Sequence, residues 1–464
     1  MKSQNIILTT DAYKQTHWLQ YPPKTERVYS YLESRGGRFD ETVFFGLQYY
    51  LKAYLEGVVV EPWMIDEAED FCQKLFGADY FNRAGWDYIV REHNGRLPLR
   101  IKAVPEGAVV PFRNVLTTVE NTDDNVPFLT NFIETLLMKV WYPITVCTNS
   151  WQIKQRIKQH AEKTGADWDP FFLNDFGFRG VSSSESAGIG GMAHLVNFLG
   201  TDTLAGIEYA MRYYDTDVCG FSVMAAEHST VTSWGRDNEL DAYKHFIEQF
   251  PTGLMSVVSD SFDIYYAVDQ FFGVELKDEI LARDGKFVVR PDSGDPPSMS
   301  VDVLNLLWDR FGGTINDKGY RALNPKIGMI YGDGIDYDSI GDILEAVSNA
   351  GFSIGNLVFG MGGALLQKLD RDTHKFAFKA SSVKIDGVWR DVYKDPVTDS
   401  GKSSKRGRLK LVRALDGEYE TADFSDPRPD EMVTVFENGE VLQEYSFDEV
   451  RARSEMVKEE LVFA

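Results

Sequence analysis

Five short clusters in this chain carry side chains able to handle a phosphorylated substrate. Asn174-Asp175-Phe176-Gly177-Phe178-Arg179-Gly180 sets aromatic rings beside an arginine in a Gly-flanked segment. That arrangement suits a flat ring stacked on Phe176 with its phosphates on Arg179, and equally a core Phe beside a surface Arg. Ala225-Ala226-Glu227-His228-Ser229-Thr230 holds a lone His among small residues, and a lone His is more often structural than catalytic. Arg290-Pro291-Asp292-Ser293-Gly294 and Gly332-Asp333-Gly334 bring acids, a cation and turn residues together. Gly360-Met361-Gly362-Gly363 precedes the helical Ala364-Leu365-Leu366-Gln367-Lys368. Glycines let a phosphate approach the backbone, and a helix start offers oriented N–H donors. Arg371 and Lys379, further on, could complete such a cradle. A tight strand-to-helix turn is the plain alternative.

These clusters need elements to hold them at one place, and the second half of the chain supplies a regular series. Met255–Ser259, Lys286–Val289, Ile327–Tyr331 and Asn356–Phe359 are short apolar runs expected to be buried strands. They end at Asp260, at Arg290–Gly294, at Gly332–Gly334 and at Gly360–Gly363. Between them, Val301, Leu304, Trp308 and Phe311 share one helical face, as do Ile340, Ile343, Leu344 and Val347. Repeated strand and helix imply parallel strands with right-handed crossovers. In an α/β barrel the carboxyl ends of the strands build the active site, and an open sheet is the alternative arrangement. The first third is mixed: Phe45–Leu55 is expected to be helical, Leu99–Val119 to form short strands, and Val126–Val146 to form one buried helix.

Composition narrows the function. The 464 residues carry 48 Lys+Arg against 71 Asp+Glu, a net charge of −23. So acidic a chain repels polyanions at long range, which argues against a nucleic-acid partner. Any phosphate must then be held by a local cluster of cations and backbone N–H groups. The basic run Lys402, Lys405, Arg406, Arg408 and Lys410 is either a solvated face or the guard of such an entrance. Cys72, Cys147 and Cys219 have no paired spacing, which fits a reducing cytosol. The start turns polar at Thr9-Thr10-Asp11 before a signal core could form, and Asn131, Glu134 and Lys139 break the longest apolar stretch. A soluble cytoplasmic protein with no membrane partner is expected. Two pattern matches are set aside. Gly188-Ile189-Gly190-Gly191-Met192-Ala193 follows a helix start and is better explained by close helix packing than by a dinucleotide turn. Pro396 stands where the first Gly of a Walker loop ending at Gly401-Lys402-Ser403 would be. The seven His and three Cys form no zinc spacing.

Taken together, the segments resemble the nicotinamide phosphoribosyltransferase family. The markers are Asp175-Phe176-Gly177-Phe178-Arg179-Gly180-Val181-Ser182-Ser183, Gly200-Thr201-Asp202-Thr203, Ala226-Glu227-His228-Ser229-Thr230, Arg290-Pro291-Asp292-Ser293-Gly294 and Lys394-Asp395-Pro396-Val397. The resemblance runs from Leu8-Thr9-Thr10-Asp11-Ala12-Tyr13-Lys14 to Tyr445-Ser446-Phe447-Asp448-Glu449-Val450-Arg451. Arg35-Gly36-Gly37-Arg38 lies in a loop shorter than the family's, and Ala364 stands where the family commonly has a glycine.

The resemblance implies an α/β fold. A barrel-like phosphoribosyltransferase domain over 161–380 would join a smaller α+β domain from 1–160 and 381–464. It implies a homodimer with sites at the subunit interface. The implied reaction transfers 5-phosphoribose from phosphoribosyl pyrophosphate to the ring nitrogen of nicotinamide for NAD salvage, with Mg²⁺ required and ATP as co-substrate. By resemblance Tyr13, Phe176 and Asp202 bind nicotinamide, and Arg179, His228 and Arg290 bind diphosphate. Asp202, Arg290, Asp292, Gly332, Asp333, Gly362, Gly363 and Arg371 would hold the ribose phosphate, with further phosphate contacts from Lys379, Lys394 and Lys402. His228 resembles a phosphorylated histidine, Asp260 is the candidate to orient its imidazole, and Asp292 joins them as a catalytic residue. The Mg²⁺ ligands are left unassigned. The alternatives are a nicotinate phosphoribosyltransferase, with the same chemistry on a carboxylate, and a catalytically silent nucleotide-binding regulator.

Overall fold

A computed structural model describes residues 5–395 and 404–455. The chain divides into two compact units. One comprises Asn149–Tyr209 and Asp217–Lys368; the other comprises the chain up to Thr148, Ala210–Thr216, and the chain from Leu369 on.

The first unit is built on seven parallel strands: β1 (Leu173–Asp175), β2 (Gly200–Thr201), β3 (Met224–Ala225), β4 (Met255–Val258), β5 (Phe287–Arg290), β6 (Ile327–Tyr331) and β7 (Leu357–Met361). Their order is β2-β1-β7-β6-β5-β4-β3. A parallel bridge between Gly200 and Phe221, just ahead of β3, brings the two edges of the sheet round toward each other. The four strands expected from the apolar runs are all present. β4 and β6 are buried along their whole length, as a parallel sheet covered by helices requires.

The covering helices follow the expected periods, with one shift of face. In Tyr337–Asn349, Ile340, Ile343, Leu344 and Val347 are buried, and Asp336 caps the start in a box with Ser339. In Pro296–Phe311 the buried residues are Ser300, Val303, Leu304, Leu307 and Phe311. Val301 and Trp308 therefore flank the core, because the 300/303/304/307/311 series follows a 3.6-residue period more closely. Trp308 lies under the Arg321 guanidinium, 5.7 Å from its ring centre. The glycine-rich stretch discounted as a dinucleotide turn lies in the helix Ser184–Leu195. A Cβ on Gly191 would stand 3.0 Å from the Gly206 Cα, and one on Gly188 would stand 2.6 Å from the Tyr209 ring. Close packing of two helices explains it.

The second unit has a seven-stranded antiparallel sheet drawn from both ends of the chain. Its strands in order are Val388–Asp391, Phe376–Ile385, Thr25–Ser34, Val115–Asn121, Leu99–Ala103, Val433–Glu437 and Glu440–Val441. Thr25–Ser34 runs against Phe376–Ile385 with Ser34 opposite Phe376 and Thr25 opposite Ile385. The 126–146 stretch is not one helix. It forms the turns Leu129–Phe132, Glu134–Leu137 and Met138–Val140 before the long helix Trp141–Thr164. Pro143 falls in the first turn of that helix, where its missing N–H costs nothing. The return segment Ala210–Thr216 is pinned by Tyr214, whose hydroxyl donates to the buried Glu106 at 2.6 Å. Among the described residues, no helix is long and apolar enough to cross a membrane.

Candidate active site

Every strand of the parallel sheet delivers a predicted residue from its carboxyl end. β1 leads to Phe176 and Arg179, β2 to Asp202, β3 to His228, β4 to Asp260, β5 to Arg290 and Asp292, β6 to Gly332 and Asp333, and β7 to Gly362 and Gly363. This is the face where barrel enzymes keep their chemistry.

Phe176 is placed by close backbone packing. Its N–H donates to the Met361 carbonyl at 3.0 Å, and its ring lies over two glycines. A Cβ on Gly360 would sit 2.0 Å from Cε2 of the ring, and one on Gly332 would sit 3.7 Å away. Position 360 is therefore a glycine because nothing larger leaves the ring where it is. Asp175, fully buried, ties this ring to the next loop. Its Oδ1 accepts from the Gly177 N–H at 2.7 Å and its carbonyl from the Asp202 N–H at 2.9 Å. Burial pushes the Asp175 carboxyl up to about 6, with nearby Asp202 adding to the rise. Asp202 is exposed and takes a hydrogen bond from Ser222 Oγ at 2.5 Å.

His228 begins the helix His228–Thr232, which Glu227 caps in a box with Thr230. Its Nδ1 lies 3.1 Å from Ser261 Oγ and its Nε2 lies 3.3 Å from Asp292 Oδ2. Asp260, the expected orienting acid, stands further off, with Oδ1 3.9 Å from Nε2. Its Oδ2 instead accepts from the Asp292 N–H at 2.9 Å and from Ser293 Oγ. Asp260 thus fixes the loop that presents Asp292, and Asp292 is the nearer carboxylate to the imidazole. Tyr331 helps, donating from its hydroxyl to the Ser293 carbonyl at 3.0 Å. Gly294, at φ +91°, lets the chain turn from this loop into the helix capped by Asp295. Asp292 is the acid within hydrogen-bond reach of Nε2 and favours the proton there, so the Nδ1 lone pair faces a rotatable hydroxyl.

Two of the arginines at this face have no carboxylate partner among the described residues. Arg179 is exposed in the turn Phe178–Gly180, and Arg290 has its Nε buried with no acceptor among the described residues. In a chain of net charge −23, such cations point to an anionic ligand. Gly180 and Gly363 lie close enough that a Cβ on Gly180 would stand 3.2 Å from the Gly363 Cα. Among the described residues, no set of three or more His, Cys, Asp or Glu side chains could hold a metal ion. The pair Asp260 and Asp292, with Asp260 Oδ1 buried and without a hydrogen bond, fits a Mg²⁺ ion held mainly by substrate oxygens.

The remaining candidates belong to the antiparallel unit. Arg371, Lys379 and Lys394 line one cavity of about 630 Å³. Burial lowers the affinity of Lys379 for its proton, and the neighbouring Arg35, Lys394 and Arg371 lower it further. Tyr13, in the turn Ala12–Leu19, is 60% exposed, with the edge of its ring against His17. Lys402 lies outside the described residues, as do Pro396 and Val397 of the last sequence marker. Sequence reasoning missed Asp175 as a tether and Ser222, Ser261 and Ser293 as polar partners. Single serines in polar loops carry no periodic signal.

Comparison with known proteins agrees over almost the whole chain. Residues 171–440 match the sequence model of the nicotinate phosphoribosyltransferase (NAPRTase) family, and residues 5–101 match that of the nicotinamide phosphoribosyltransferase N-terminal domain. The nicotinamide phosphoribosyltransferase of Xanthomonas campestris pv. campestris is 50% identical, covering 98% of this chain and 99% of its own. That of Acinetobacter baylyi is 36% identical, covering 97% of each. Two crystal structures share the fold. Nicotinate-nucleotide pyrophosphorylase from Pyrococcus furiosus has a TM-score of 0.64 at 16% identity, covering 100% of this chain and 98% of its own. Human nicotinic acid phosphoribosyltransferase has a TM-score of 0.55 at 15% identity, covering 96% and 93%.

Proposed function

This chain belongs to the nicotinamide phosphoribosyltransferase family, and from that premise we propose how its residues share the work. The enzyme joins nicotinamide to the ribose of phosphoribosyl pyrophosphate, giving nicotinamide mononucleotide and pyrophosphate for NAD salvage. The observation that carries the assignment is Asp175, which fastens the Phe176 loop and the Asp202 loop to each other. A stacking ring and an amide-reading carboxylate are thereby held at a fixed spacing, as a pyridine carrying a carboxamide requires.

As the bond from ribose C1 to pyrophosphate breaks, positive charge grows on the sugar and negative charge on the leaving group. Arg179 and Arg290, with no carboxylate partner among the described residues, take up the negative charge. Asp292, Gly332, Asp333, Gly362, Gly363 and Arg371 bind the ribose phosphate, with Lys379 and Lys394 as further phosphate contacts. Phe176 and Tyr13 of the partner subunit sandwich the pyridine in a homodimer, which gives the exposed Tyr13 ring its use. Mg²⁺ at Asp260 and Asp292 would neutralise phosphate charge. ATP would phosphorylate His228, its γ-phosphoryl passing to Nδ1 as ADP leaves, while Asp292, 3.3 Å away, accepts a hydrogen bond from Nε2–H and leaves Nδ1 as the nucleophile. Cys72, Cys147 and Cys219 are buried and in no disulfide, which suits the cytoplasm.

The test is ATP-stimulated mononucleotide formation together with labelling by γ-labelled ATP. The wild type should show both. His228→Ala should lose label and stimulation yet retain some ATP-independent transfer. A fully labelled His228→Ala enzyme would place the acceptor elsewhere.

A further inference from the structure

Ser261 stands at one end of a hydrogen-bonded chain of three side chains. Its Oγ lies 3.1 Å from His228 Nδ1, and His228 Nε2 lies 3.3 Å from Asp292 Oδ2. A hydroxyl within reach of an imidazole that a carboxylate orients is the arrangement that activates a serine as a nucleophile. With the ring proton held on Nε2 by Asp292, the Nδ1 lone pair accepts the Ser261 O–H. The serine is fixed from both sides. Ahead of it, Asp260 Oδ2 accepts from the Asp292 N–H at 2.9 Å, and beyond it Asp263 Oδ1 accepts from the Tyr266 N–H at 3.1 Å.

Neighbouring hydroxyls on this face are differently placed. Ser222 donates to Asp202, Ser293 to Asp260 and Ser229 to Glu227. Near neutral pH a carboxylate is too weak a base to carry off a hydroxyl proton efficiently, whereas an imidazole is matched to that task. Ser150 shows the same contact in a purely structural setting. Its Oγ lies 2.9 Å from His194 Nδ1, but both side chains are fully buried and His194 Nε2 faces the Gly200 carbonyl at 3.3 Å. A carbonyl, not an acid, backs that ring, and no dissolved substrate reaches it. The His228 side chain is 45% exposed and Ser261 is half-buried, so this pair is open to one.

The electrophile that suits the place is a phosphoryl group. Arg290 pairs in register with Val258 on β4, and its carbonyl accepts from the Ser259 N–H at 3.0 Å. Its buried Nε has no acceptor among the described residues. A cation is thereby anchored beside the chain that leads into Ser261, where it would steady phosphate oxygens.

We propose that Ser261 is a second phosphoryl acceptor, modified by a nucleoside triphosphate with His228 as general base and Asp292 orienting the ring. Oγ attacks the γ-phosphorus, and the Oγ–P bond forms as the bond from that phosphorus to the β,γ-bridging oxygen breaks. The bonding pair leaves with the nucleoside diphosphate. The hydroxyl proton passes to Nδ1, rests on the imidazolium beside Asp292, and is lost to water. Attack by Nδ1 itself needs the hydroxyl turned away, so the two acceptors exclude each other in any one encounter. Their products differ in lifetime. The P–N bond of a phosphohistidine is readily hydrolysed, whereas a phosphoserine ester persists and keeps a charge of about −1.5 to −2 beside Nδ1. Phosphate on Ser261 thus switches off phosphorylation of His228. The proposal rests on the reading of ATP as co-substrate and adds an acceptor which that reading does not contain.

Wild type, Ser261→Ala and His228→Gln should each be incubated with γ-labelled ATP and Mg²⁺, and the label divided by its stability. Phosphoserine survives acid and is cleaved in alkali; phosphohistidine does the reverse. The wild type should accumulate acid-stable label, located on Ser261 by mass spectrometry. Ser261→Ala should lack it, and His228→Gln, with the serine intact but no base, should gain it about 10²-fold more slowly or less. ATP stimulation of mononucleotide formation should fall in proportion to Ser261 occupancy, and Ser261→Ala should keep its stimulation after the same incubation. A wild type without phosphate on Ser261 overturns the proposal. So does undiminished Ser261 labelling in His228→Gln, or full ATP stimulation in a wild type fully phosphorylated at Ser261. Acid-labile label tests the phosphohistidine reading separately. Its absence beside phosphate on Ser261 would sink that reading and leave this one standing; its presence without phosphate on Ser261 would do the opposite.

Discussion

Gly360→Ala should cripple nicotinamide turnover through a single methyl group. The added Cβ would stand 2.0 Å from Cε2 and 2.3 Å from Cδ2 of Phe176, whereas ordinary contacts begin above 3 Å. Gly360 is buried within β7, and its neighbour Met361 holds the Phe176 N–H at 3.0 Å. Backbone retreat is therefore blocked, and the ring must swing by about 1 Å or more. Overpacking of this kind costs about 1–3 kcal/mol of stability. Misplacement of about 1 Å at a reacting centre costs up to about 10²-fold in rate. We expect kcat/KM for nicotinamide to fall roughly 10- to 100-fold, or about 1.4–2.7 kcal/mol of transition-state stabilisation. Initial-rate kinetics at saturating phosphoribosyl pyrophosphate, with a thermal melt of the same sample, measure both effects. Adding Phe176→Ala removes the clash. The double variant should melt like Phe176→Ala alone and show the same reduced kcat/KM. If Gly360→Ala keeps kcat/KM within twofold of wild type, the ring does not position the substrate.

Asp175 makes a pH prediction. Its carboxyl lies near 6 in the fold against 3.8 unperturbed, so the folded state binds a proton between those values that the unfolded state does not. Stability relative to Asp175→Asn should therefore rise as pH falls from 7.5 to 4, by about 2.4 kcal/mol. A difference that stays flat in melts over that range would show that Asp175 is not desolvated. Mixed dimers test the proposed homodimer and its shared site. Tyr13→Ala and Phe176→Ala homodimers should both be impaired, whereas a purified heterodimer of the two concentrates both defects in one site. It should regain activity approaching half of wild type, and stable heterodimers that regain nothing would place both residues in one chain's site.

The sequence disclosed the parallel strands because β4, β5, β6 and β7 are buried on both faces and so are nearly continuous in apolar residues. The loops after them were legible for a related reason: glycines and acids interrupt those runs abruptly. Helix faces were less certain. One residue of rotation separates the 301/304/308 series from the buried 300/303/304/307 series, and Trp308 satisfies either pattern because only part of its ring is covered. The break-up of 126–146 into short turns depends on packing, and local apolarity does not report it. The nearness of Asp292 to His228 was hidden as well. It depends on how β3, β4 and β5 align across the sheet and on the grip of Asp260 on the Asp292 N–H.

The central claim is that Asp202 selects an amide over a carboxylate on a ring held by Phe176. An ionised carboxylate accepts the N–H of nicotinamide but repels nicotinate; Asp202 is exposed until the ring covers it, and once covered such a contact can discriminate by up to about 10⁴. The direct measurement is kcat/KM for nicotinamide and for nicotinate, each with phosphoribosyl pyrophosphate, for the wild type and for Asp202→Asn. The wild type should favour nicotinamide by orders of magnitude, and Asp202→Asn should lose much of that preference while melting like the wild type. Equal kcat/KM for the two substrates in the wild type, or an undiminished preference in Asp202→Asn, would contradict it.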